Sequence, residues 1–73
     1  MSISTGMTVR VSEPNATFVG TVISTDKYED PYGNDLYEIE IEKIITDSQE
    51  ELHIGKICKT DPSFVTPKTN QFL

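Results

Sequence analysis

From Tyr37 to Glu42 the chain reads Tyr-Glu-Ile-Glu-Ile-Glu, with an apolar residue at every odd position and a glutamate at every even one. A period of two fits an extended strand with one face turned inward and the other to water. On a helix, Tyr37, Ile39 and Ile41 would spread around the cylinder instead of sharing a stripe, so strand is preferred over helix despite the helical leaning of glutamate. The pattern predicts Tyr37, Ile39 and Ile41 in a core and Glu38, Glu40 and Glu42 as a row of three outward carboxylates.

The same period marks the chain upstream. Met7, Val9 and Val11 alternate with Thr8, Arg10 and Ser12, which predicts a first strand over residues 7–12. Glu13-Pro14-Asn15-Ala16 breaks it, because proline has no N–H for a ladder and asparagine suits a turn. A second strand, rich in β-branched residues, is expected from Thr17 or Phe18 to Thr25, with Phe18, Gly20 and Val22 on one face and Val19, Thr21 and Ile23 on the other. A glycine inside a strand marks a bulge, a bend or a close backbone approach. Asp26 to Asp35 carries Pro31, Gly33 and Asn34 and reads as a wide hairpin loop.

Thr46 to Glu50 is turn chemistry, and Leu52-His53-Ile54 alternates briefly before Gly55. Lys56 to Lys59 is a fourth strand and Ser63-Phe64-Val65 a short closing one. Residues 1–5 are read as a disordered lead-in, 6–66 as one domain and 67–73 as a tail onto which Phe72 and Leu73 fold back. With 73 residues, a single core is the limit. The fold class expected is all-β, a small five-stranded antiparallel barrel.

Gly6-Met7-Thr8-Val9-Arg10-Val11, a short loop, Gly20-Thr21-Val22, a further loop and the alternating third strand resemble the opening of SH3-like small barrels, including KOW and Tudor-type modules. The resemblance spans about the first 45 residues and implies fold more than function. In such modules aromatics near the loops often form the binding surface. A narrower likeness, on Thr8 to Val11, Thr17-Phe18 and Gly20 to Val22, is to the start of the ferredoxin-docking S subunit of the photosynthetic NADH-dehydrogenase-like complex. The segment before the glycine is shorter here and the chain has no tryptophan, so no function is carried over.

Twelve acidic residues against six basic ones leave a formal charge of −6. That field repels phosphate backbones, which makes nucleic acid an unlikely partner and a basic protein surface a suitable one. One cysteine forms no internal disulfide and fits a reducing, cytoplasmic setting. No apolar run nears the roughly 20 residues that a membrane helix needs. Asn15-Ala16-Thr17 fits the glycosylation acceptor pattern, which matters only outside the cytoplasm.

No catalytic constellation, metal site or cofactor motif emerges. Asp26, Glu29, Asp30 and Asp35 offer oxygen ligands, but Pro31 stands where a calcium loop needs its turn glycine and Tyr37 where it needs its closing glutamate. His53 and Cys58 supply two of the four ligands of a structural zinc site. As an acid–base pair, glutamates on an open strand lack the contrasting environments that separate pKa values. The expected function is a non-enzymatic interaction module or small accessory subunit, monomeric or weakly dimeric. Its contact surface is expected at Tyr28, Glu29, Asp30, Tyr32 and Asp35 of the long loop and at Glu38, Glu40 and Glu42. Two alternatives remain at this point: a nucleic-acid-binding barrel using Tyr28, Tyr32, Arg10 and Lys27, and an acidic mimic of a phosphate backbone.

Overall fold

The computed structural model describes residues 2–68. Five strands, β1 (Thr8–Glu13), β2 (Ala16–Glu29), β3 (Asp35–Asp47), β4 (Ile57–Thr60) and β5 (Val65–Pro67), form one sheet in the order β4-β3-β2-β1-β5. Every neighbouring pair is antiparallel. A one-turn 3-10 helix, Pro62–Phe64, precedes β5, its N-terminus capped by Asp61, whose Oδ1 accepts the Ser63 N–H at 2.8 Å. Among the described residues no helix is long and apolar enough to cross a membrane.

Val9, Val11, Ile39 and Ile41 face inward as the alternation predicts, while Met7 and Tyr37 of the same faces are only partly buried. Val9 and Val11 of β1, Phe18 and Val22 of β2, Ile39 and Ile41 of β3 and Val65 of β5 are buried together. Burial of each such side chain contributes about 1.5–3 kcal/mol. Thr60 of β4 is also buried and its Oγ1 donates to Glu13 Oε2 at 2.6 Å. Two strands separate β4 from β1 in the sheet order, so this contact requires the sheet to curl back on itself. Ile3, in the expected lead-in, packs against the core, and the Gly6 N–H donates to the Val22 carbonyl at 2.8 Å.

Curling is made possible by breaks in the β2–β3 register. Val19 pairs with Lys43 and Gly20 with Ile41, which leaves Glu42 unopposed; Val22 pairs with Ile39 and Ser24 with Glu38, which leaves Ile23 unopposed. Each extra residue bends its strand and reverses the inside–outside phase beyond it. Val19, which the alternation puts on the face opposite Phe18 and Val22, is also buried; it pairs with Arg10 on β1 and Lys43 on β3, whose long aliphatic stems are able to cover such a position.

The structure redraws several boundaries. The wide loop expected over Asp26 to Asp35 is mostly strand: β2 runs on to Glu29 and β3 starts at Asp35, so the connection is Asp30 to Asn34. Polar residues hid this extension because the hairpin projects past the core, where both faces meet water and no alternation is required. β3 likewise continues through Thr46 and Asp47. Residues 52–54 lie outside any strand, and Ser63-Phe64 is helical rather than extended. Pro67 belongs to β5, opposite Val9, whereas the fold-back expected of Phe72 and Leu73 falls outside the described residues.

Candidate functional site

The β2–β3 hairpin carries most of the residues expected to meet a partner. Its connection is locked by Asp30. One carboxylate oxygen accepts the N–H groups of Tyr32 and Asn34, both at 2.9 Å, and the other accepts Asn34 Nδ2 at 3.2 Å. The Asp30 N–H donates to the Asn34 carbonyl at 2.8 Å, and Gly33, at φ +86°, donates back to the Asp30 carbonyl at 3.0 Å. An Asx turn of this kind needs an aspartate or asparagine first and a residue tolerant of positive φ later, which the sequence supplies.

These bonds, the Asn34 N–H foremost, hold the Asp30 carboxyl below its ordinary value of 3.8. The unfolded carboxyl titrates near the ordinary value, so the turn's contribution to stability is complete above it and disappears as pH falls through the lower, folded value. The Tyr32 and Asn34 amide resonances should therefore titrate with a midpoint below pH 3.8. Movement centred above that pH would show that the carboxylate is not held by these amides.

Tyr32 stands at the tip, 89% exposed. Tyr28 lies in β2 rather than in a loop, half-buried, with Lys59 Nζ 3.9 Å and Lys27 Nζ 5.3 Å from its ring centroid. Glu29 and Asp35 are directly opposed across the ribbon, and both are exposed. Two like charges held face to face repel, and a cation placed between them relieves that repulsion.

The row of three outward carboxylates does not form. Glu38 is only 8% exposed and accepts a 3.1 Å hydrogen bond from Ser24 Oγ. It sits in the middle of the sheet, between Ser24 on β2 and Lys59 on β4, with neighbours covering its stem on both sides. Glu40 is exposed opposite Thr21 and Ile57, while Glu42, at the register break, accepts the Thr21 hydroxyl at 2.6 Å. The alternation places all three on one face, but only the neighbouring strands decide which of them water reaches.

What the sequence pattern missed is a groove of about 580 Å³ beside the root of the hairpin. Asp26, Asp35 and Asp61 line it with Ile3, Tyr37 and Pro62, and no cation is among its lining residues. Tyr37, expected in the core, packs against the core while also reaching this groove. Asp61-Pro62 served in the sequence only as punctuation; its role here depends on the curl that brings the 3-10 helix beside β3. Among the described residues, no three carboxylate, histidine or cysteine side chains gather closely enough to hold a metal ion. The three aspartates line a wide opening instead of converging on a point.

His53 is exposed, with Nδ1 3.2 Å from the Ile54 carbonyl. Cys58 pairs with Ile39 on the inner face of β4, and partial burial pushes its thiol above the usual range. A raised thiol pKa lowers the thiolate fraction and with it the nucleophilicity. No family model, no characterised protein and no solved structure matches the chain.

Proposed function

We propose that this chain is a non-enzymatic protein-interaction module of the SH3-like kind, an accessory subunit that receives a lysine or arginine of a basic partner protein in the groove between the hairpin and the 3-10 helix. The observation that carries this reading is the groove itself: three aspartates line it together with Tyr37, Pro62 and Ile3, with no lysine or arginine of its own among the lining residues. The alkyl stem of a lysine or arginine can lie against Tyr37, Pro62 and Ile3 while its cationic head meets the carboxylates.

The nucleic-acid reading is less well supported: of its two aromatics the Tyr28 ring already carries Lys59, which leaves only Tyr32 free to stack, and a formal charge of −6 repels phosphate. The phosphate-mimic reading needs an unbroken line of surface carboxylates, and Glu38 is withdrawn from it.

Titration of the ¹⁵N-labelled chain with argininamide, followed by amide chemical shifts, tests the proposal. Saturable shifts are expected at Asp26, Asp35, Tyr37 and Asp61. Changing both Asp26 and Asp35 to lysine should weaken binding by about tenfold or more, taking roughly 1 kcal/mol for each exposed charge contact. Shifts spread evenly over the acidic surface, unaffected by the double change, would refute a groove site.

A further inference from the structure

Resting on that reading, we infer that Tyr32 is the anchor of the interface, and that the partner is therefore a folded protein with an apolar socket beside its basic residue rather than a flexible basic peptide.

Three observations combine. Tyr32 is a large side chain left 89% exposed, the most exposed of the large apolar residues on the described surface. Its backbone is held by the Asp30 carboxylate and by the paired Asp30–Asn34 and Gly33–Asp30 bonds. Pro31 beside it has its φ fixed by its ring. An aromatic presented on a stiff turn loses little conformational freedom on docking, which is how a single tyrosine becomes a dominant contact.

The position relative to the groove supplies the partner's shape. Asn34 and Asp35, two and three residues beyond Tyr32, line the groove. The chain thus offers a projecting ring next to an acidic recess. A complementary surface has a hollow next to a projecting cation. A flexible peptide can provide the cation, but a water-excluding hollow for a phenol ring requires a packed surface. A second copy of this chain is a poor receiver, because its own groove is acidic and each copy carries a formal charge of −6.

The test uses the full chain in its native host cell, with p-benzoylphenylalanine replacing Tyr32, and with the same group at the exposed Ile57 of β4 as control. Irradiation should give one protein adduct from position 32 and none from position 57, lost when Asp26 and Asp35 are both lysine. The captured protein, purified, should bind Tyr32→Ala at least about tenfold more weakly than the native chain, as a hot-spot aromatic does. Tyr32→Phe should bind nearly as well as the native chain. No adduct at position 32, or a captured protein that binds Tyr32→Ala as tightly as the native chain, overturns the anchor. If argininamide still titrates the groove in that event, the groove reading survives; if neither responds, both fall.

Discussion

Gly20→Ala should lose about 3 kcal/mol of stability or more, the upper part of the range for forcing an extra carbon into a packed interior. In a domain of this size that lowers the melting temperature by about 15 °C or more. A Cβ at position 20 would collide with the Glu40 carbonyl oxygen and lie 2.7 Å from Ile39 Cγ2. The first obstacle is backbone of a paired strand, so no rotamer change relieves it. Gly20 also differs from Gly6, Gly33 and Gly55, whose φ angles are positive and where an added Cβ would meet nothing within 4 Å. Those three are glycines for conformation; Gly20 is one for space. It sits on β2 between β1 and β3, opposite Val9 on one side and Ile41 on the other. Thermal unfolding followed by circular dichroism decides the matter, and an alanine variant melting within a few degrees of the native chain would contradict the close approach.

That glycine also marks how far the sequence could be read. A side-chain period of two is a local property: it turned Val9, Val11, Ile39 and Ile41 inward and put Phe18 and Val22 on one face, but only the fold shows that this face of β2 is the inner one. Gly20 signalled a close approach without naming its partner. Gly20 also sits at one of the register breaks, as an interior strand glycine can, whereas the break that leaves Ile23 unopposed has no counterpart in the letters around it. The groove was hidden for the same reason. Asp26 and Asp35 flank one hairpin, but Asp61 is far from both along the chain and joins them only because the hairpin and the 3-10 helix close on the same opening. Glu38 illustrates the limit most sharply, since its phase was read correctly and its exposure was not.

The second large effect is expected at Phe18, the largest of the fully buried side chains. It pairs with Val11 on β1 and with Ile44 on β3, at a register break that leaves Ile45 unopposed. Removing the ring leaves a cavity which the two curved neighbours cannot both close, so Phe18→Ala should lose about 3–5 kcal/mol. A chain of 73 residues has a total stability on the order of 4–11 kcal/mol. The variant should therefore reach its urea midpoint at a markedly lower concentration and be partly unfolded before any denaturant is added. A loss below about 1 kcal/mol would mean that the interior repacks freely, contrary to the close packing of native cores.

The same variant separates structure from recognition. Thr25 and Asp26, on the groove wall, belong to the strand that Phe18 anchors. Phe18→Ala should weaken argininamide binding in proportion to its unfolded fraction, with recovery on cooling toward the temperature of greatest stability. The Asp26 and Asp35 reversals should weaken binding by about tenfold or more while leaving the melting temperature close to native, because both carboxylates are exposed and surface charges contribute little to folding. If instead the two reversals unfold the chain as Phe18→Ala does, the aspartates hold the hairpin in place, and their grouping around the groove serves the fold before it serves a partner.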